Sequence, residues 1–192
     1  MEKYKKSAKY QDIYLTAKKL FWKYGIKKVS IKKICKEAGA SKMTFYKFFP
    51  NKIELAKNIL KDIVDDAIIK SDKIVNSNLL FQEKVIELIN LKLQGVKDIS
   101  IEFITDIYKI EDLQAIMNKS NQKLLNIFVN FLKDSQEKEM MRQDIKIDFI
   151  LSLLNQMTLM MEDKQLLAKY DKPEDLILEA MNFLFYGLLT EK

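Results

Sequence analysis

The stretch from Ser30 to Leu55, SIKKICKEAGASKMTFYKFFPNKIEL, constrains the fold more than any other part of the chain. Ile31, Ile34, Cys35 and Ala38 recur at i, i+3, i+4 and i+7, a single apolar stripe on a helix of about two turns. Ser30 stands at its N-cap, and Gly39, a residue that enters the left-handed region without a Cβ penalty, ends it. After Gly39-Ala40-Ser41 a second helix opens with Ser41 as cap, and Asn51-Lys52-Ile53-Glu54 has the form of a capping box that starts a third. Two short helices joined by so tight a glycine turn are a helix-turn-helix signature, whose second member normally enters the major groove of DNA.

Phe45 and Phe49 of that second helix lie four apart and pack inward, while Lys42, Thr44, Tyr46 and Lys47 point elsewhere. Two lysines, a hydroxyl and a phenol make a DNA-reading face, and the positive end of the following helix, with Lys52 beside it, suits a phosphate. Charge is distributed accordingly. Residues 1–52 hold 15 of the 33 basic residues and 3 of the 27 acidic ones, a charge of +12, which leaves −6 for the remainder. A basic front and an acidic body are the footprint of one part that meets a polyanion and one that does not. An AT-rich genome accounts for many lysines and a single arginine, Arg142, but not for where the lysines stand.

The segment resembles the DNA-binding domain of the TetR family of bacterial repressors. Ile34, Ala38, Gly39, Ser41, Tyr46, Phe49, Lys52 and Leu55 fall on the family pattern; Cys35, Ala40, Met43, Phe45 and Phe48 depart from it, all but Met43 conservatively. The resemblance, with the chemistry at each position, implies phosphate-side roles for Ser30, Ser41, Tyr46 and Lys52. Lys42, Met43, Thr44 and Lys47 are the candidates for base edges, lysine toward guanine O6/N7 or equally toward phosphate, and threonine or methionine toward a thymine methyl. It further implies an all-α protein with a three-helix DNA-binding domain over 1–52 and an effector-binding, dimerisation domain over 53–192. Binding of a small-molecule effector in the latter would release a repressor from its operator. Phe103, Ile107, Tyr108, Phe128, Met157 and Met161 are the candidate effector-lining residues, although such aromatics and methionines equally fill cores.

The rest of the chain reads as nearly all helix, with Gly25, Gly39, Gly95, Gly187, Pro50 and Pro173 its only glycine or proline interruptions. A first amphipathic helix carries Ile13, Ala17, Leu20, Phe21 and Tyr24 and ends at Gly25; Tyr14 and Trp22 lie off its stripe, at the domain edge. From Asn51 a long helix continues into the seventies. Further helices follow Ser77-Asn78, Asp98-Ile99-Ser100 with Ile101, Ile104, Ile107 and Tyr108, and Glu111. EMMRQDI, residues 139–145, punctuates the chain before two strongly apolar helices, Ile147 to about Leu167 and Pro173 to about Leu189. These two carry more apolar surface than one core needs. Ile150, Leu153, Leu154 and Met157 with Leu176, Ala180, Phe183, Leu184 and Gly187 are the candidate homodimer interface, a four-helix arrangement as in TetR-type proteins; both helices being simply internal is the alternative. Two recognition helices related by a two-fold would read a palindromic operator with half-sites about 34–36 Å apart.

A chain with no histidine and one cysteine lacks Ser-His and Cys-His nucleophilic machinery, the common zinc ligand sets and any internal disulfide. No cofactor or metal is expected, and the scattered carboxylates make an enzyme the weakest reading. Glu102 and Asp106, four apart, read as an exposed helix face rather than a cation site. Cys35 reads as a core filler, not a redox sensor. No continuous apolar run marks a signal peptide or a membrane span, so a cytoplasmic location is expected. A DNA-binding or nucleoid component without a small-molecule ligand is the main alternative to an effector-controlled repressor.

Overall fold

The computed structural model describes residues 7–97, 99–160, 163–170 and 173–188. Among the described residues the regular structure is entirely helical: α1 (Ala8–Tyr24), α2 (Ile31–Glu37), α3 (Lys42–Phe48), α4 (Lys52–Val75), α5 (Phe81–Val96), α6 (Ile101–Lys109), α7 (Glu111–Glu137), α8 (Ile147–Met160), α9 (Lys164–Leu167) and α10 (Pro173–Leu188). The all-α expectation holds. No helix among the described residues is long and apolar enough to cross a membrane.

The chain divides into two compact units, one of residues 1–68 and 96–123, the other of 69–95 and 124–192. This partition differs from a cut at 52/53, and burial explains why. Leu55, Ala56, Ile59, Leu60 and Val64 of α4 join Phe103 and Ile107 of α6 and Leu113 of α7 in the same core as Tyr10, Ile13, Ala17, Leu20 and Phe21 of α1. Phe45 and Phe49 complete that core, both fully buried, and Tyr10 meets the Phe49 ring at 4.9 Å. Tyr14, off the main stripe, is tied to α4 by its hydroxyl, which donates to Asp62 Oδ2 at 2.9 Å. Trp22 packs on Phe103, ring centroids 5.0 Å apart.

The second unit has a core of its own, built from Phe81, Val85 and Ile89 of α5, Phe131 and Leu132 of α7, Ile150 of α8 and Leu184 of α10. The segment between α7 and α8 is more than punctuation, because Met141 is fully buried in this core. Gln136 pins it by donating to the carbonyls of Arg142 and Ile145 at 2.9 and 2.7 Å.

Two helix boundaries and one buried face differ from the sequence reading. The N-cap position of α5 is Leu80, whose N–H donates to Glu83 Oε2 at 2.8 Å, while the Ser77 hydroxyl turns back to the Ile74 carbonyl at the end of α4. The helix expected over 147–167 is two, α8 and α9, since the Asp163 carboxylate accepts from the N–H groups of Gln165 and Leu166 and so caps a new start. On α6 the buried residues are Phe103, Asp106 and Ile107, whereas Ile101, Ile104 and Tyr108 face solvent. Ser100 caps this helix as expected, accepting from Phe103 N–H; Asp98 lies outside the described residues.

Candidate nucleic-acid interface

The helix-turn-helix is capped at both starts by serine. Ser30 Oγ accepts from Lys33 N–H at 3.1 Å to open α2, and Ser41 Oγ accepts from Thr44 N–H at 3.0 Å to open α3. Between them Gly39 takes φ +57°, and the Ala40 N–H closes onto the Cys35 carbonyl at 2.9 Å. Lys9 of α1 donates to the Gly39 carbonyl at 3.2 Å, an anchor that no local pattern announces. The Cys35 thiol sits 3.7 Å from the Ser41 carbonyl, and burial pushes its pKa up.

Sequence and packing set the faces of α3. Phe45 is fully buried, edge-on to Tyr46 at 5.5 Å and tilted against Phe49 at 5.7 Å. Lys42, Met43, Tyr46 and Lys47 are therefore the solvent face, spaced i, i+1, i+4 and i+5; Met43 is 82% exposed and Tyr46 54%. Thr44 is half-buried, with its hydroxyl 2.9 Å from Ser41 Oγ, so these two hydroxyls are hydrogen-bonded to each other. A groove of about 250 Å³ runs beside this face, lined by Tyr46, Lys47, Phe48, Pro50, Glu54 and Asn58.

The start of α4 carries half of the anticipated capping box. Asn51 Oδ1 accepts from Glu54 N–H at 2.9 Å, while the Glu54 carboxylate receives the Lys57 ammonium at 2.9 Å. Lys52, anticipated on the phosphate side, has its ammonium on two backbone carbonyls of the α1–α2 loop, Val29 at 2.8 Å and Lys27 at 3.2 Å. Burial lowers its pKa, and the nearby Asp106 charge partly offsets the effect. Of the Glu102/Asp106 pair, Glu102 is exposed as expected and Asp106 is not. Asp106 is 6% exposed and accepts the Lys27 N–H at 2.8 Å, and Glu102 pairs with Lys28 at 2.9 Å. Apolar periodicity does not register a buried carboxylate, which is why spacing alone placed Asp106 outward with Glu102.

The candidate effector residues fall into separate cores. Phe103 and Ile107 are buried in the first unit, Phe128 and Met157 pack against the core of the second, Tyr108 is half-exposed, and Met161 lies outside the described residues. The candidate interface residues also divide. Ile150, Leu176 and Leu184 are buried within the single chain, Leu153, Leu154, Met157 and Ala180 are half-buried, and Phe183 is 79% exposed. Gly187 belongs to α10, but its surroundings are not among those described. Phe149 of α8 and Tyr186 of α10, absent from the sequence-based set, are exposed as Phe183 is. Selecting residues by one inward-facing period had passed over them.

Residues 13–59 match the family described as bacterial regulatory proteins, tetR family. No curated protein is matched by sequence. Among solved structures, Escherichia coli NemR in its reduced form superposes with a TM-score of 0.73 at 14% identity, over 96% of this chain and 100% of that one. Bacillus subtilis FadR in complex with stearoyl-CoA gives 0.67 at 20% identity, over 93% and 98%. The ketosteroid transcriptional regulator KstR2 of Mycobacterium tuberculosis gives 0.66 at 16% identity, over 97% of both chains. The match covers the helix-turn-helix just described, and the likeness of fold runs through nearly the whole chain. Residues 13–59 are thus similar to the DNA-binding segment of the tetR family, and the chain shares the fold of these regulators over nearly its whole length.

Proposed function

We propose that the protein is a homodimeric, sequence-specific repressor that a small-molecule effector releases from a palindromic operator. The observation that carries the reading is the solvent face of α3. Four large side chains, two cationic, stand exposed on a helix whose opposite side is locked by Phe45 and Phe49. They lie in a segment of +12 charge. In this reading Met43 and Lys47 read base edges with Lys42 and Thr44, while Ser30, Ser41 and Tyr46 meet phosphates, and residues 53–192 bind effector and partner.

An exposed apolar set on α8 and α10, Phe149, Phe183 and Tyr186, supports self-association, since large aromatics at such exposure mark contact surfaces. The effector reading draws support from the FadR complex with stearoyl-CoA, a ligand of that protein. To act, an effector must bind the DNA-incompetent state better, typically by about 1–3 kcal/mol of coupling. One observation favours a ligand-free DNA-binding protein instead: two of the candidate effector residues, Phe103 and Ile107, are buried in a packed core.

The test is binding to DNA from immediately upstream of the protein's own gene, titrated against salt with random DNA as control. Binding at least about 10³-fold tighter than the control, two chains per palindrome, is expected. Equal, weak and salt-sensitive binding to both DNAs would leave only non-specific attraction and sink the repressor reading for that site. Lys47→Ala and Met43→Ala are expected to change site preference by roughly tenfold for a base in contact; unchanged preference would move base readout off α3.

A further inference from the structure

The α1–α2 loop, residues 25–29, is held by polar groups from two other helices. From α4, the Lys52 ammonium donates to the carbonyls of Lys27 and Val29. From α6, Asp106 Oδ2 accepts the Lys27 N–H at 2.8 Å, its Oδ1 lies 4.0 Å from the Lys27 ammonium, and Glu102 takes the Lys28 ammonium at 2.9 Å. The loop also fits closely against α6. Gly25 has φ +79°, and a Cβ there would stand 2.9 Å from Glu102 Cβ and 3.0 Å from Asp106 Oδ2. Ile26 and Val29, each 1% exposed, bury its apolar side. The residue after Val29 is Ser30, the cap of α2.

We infer that Lys52 and Asp106 are positioning residues for DNA binding, which fix the start of the helix-turn-helix by gripping the α1–α2 loop, and that Lys52 acts through this loop rather than on a phosphate. Two of the three ammonium protons of Lys52 are committed to carbonyls, and a lysine drawn out of water toward backbone acceptors is poorly placed to surrender them. Asp106 completes the grip from a buried position, so neither role depends on reaching the duplex. A loop left ungripped lets α2 and α3 sample several positions, and affinity falls by the fraction of molecules holding the competent one.

The inference rests on the DNA-binding reading, and two measurements separate them. Lys52→Met keeps the aliphatic stem and removes the donors; Asp106→Ala removes the acceptor; Asp106→Asn keeps a carbonyl oxygen for the Lys27 N–H. Both Lys52→Met and Asp106→Ala are expected to lose roughly tenfold in operator affinity at every salt concentration, with the dependence of log K on log salt parallel to wild type. Asp106→Asn is expected to recover affinity to within about threefold of wild type. In the DNA-free proteins, amide exchange at residues 27–33 is expected to quicken in Lys52→Met and Asp106→Ala, including at Lys27 itself. A salt slope flattened by about one unit in Lys52→Met, with loop exchange unchanged, would make Lys52 a phosphate contact and overturn the inference. Wild-type exchange rates in both variants would overturn the grip, whatever DNA does. A wild-type protein that shows no DNA binding, with exchange responding as expected, would instead overturn the reading on which the inference rests.

Discussion

At the scale of single residues, the α3 cap and the Tyr14 hydroxyl show how much rests on one polar atom. Ser41 Oγ satisfies the Thr44 N–H and meets the Thr44 hydroxyl, so Ser41→Ala is expected to cost about 1 kcal/mol in chemical denaturation. Burial first, and then the hydrogen bond to Asp62, raise the Tyr14 pKa well above its ordinary value of 10.0. The folded state keeps this proton while the unfolded chain gives it up, so the contribution is full below pH 10 and lost as pH rises beyond it. Tyr14→Phe is accordingly expected to be about 1 kcal/mol less stable at pH 8 and to decline less steeply between pH 10 and 11 than wild type, measured as urea midpoints. Both serine caps were legible because a cap is a local event. Lys52 was legible as a helix start but not in its partners, because the Lys27 and Val29 carbonyls stand more than twenty residues upstream.

At the scale of elements, the two turn glycines of the DNA-binding head make opposite demands. Gly39 has φ +57° with nothing nearer an added Cβ than the Lys9 ammonium at 3.9 Å, so Gly39→Ala is expected to cost about 1 kcal/mol from backbone strain alone. Gly25→Ala adds a collision with the Glu102 Cβ and backbone to φ +79°, and a loss of at least about 2 kcal/mol is expected. Equal losses in parallel denaturation curves would mean that α6 yields to the methyl group. Helix existence could be read almost throughout, since α1 to α4 follow from stripe, cap and glycine. The inward face of α6 could not, because its buried set includes the polar Asp106 while three larger apolar residues lie outside. The break before α9 was hidden for a related reason: Asp163 caps it from within a run whose apolar residues continue on both sides.

At the scale of the whole molecule, the uneven charge and the exposed aromatics of α8 and α10 make separate predictions. Phe183→Glu introduces a carboxylate at a residue 79% exposed in the single chain, where it costs the monomer little. If this surface is the self-association site, sedimentation at micromolar concentration is expected to shift from dimer to monomer, a loss of at least about 2 kcal/mol at a central contact. A dimer that survives both this change and Tyr186→Glu would place the contact elsewhere. Cys35 offers a different use of the same molecule. It is the chain's sole cysteine, 4% exposed, and its pKa is raised by burial, so an alkylating reagent reaches a reactive thiolate only when the packing around α2 opens. The rate of its labelling is thus an intrinsic clock for opening of the DNA-binding head, readable by mass in the unmodified protein, with or without DNA present.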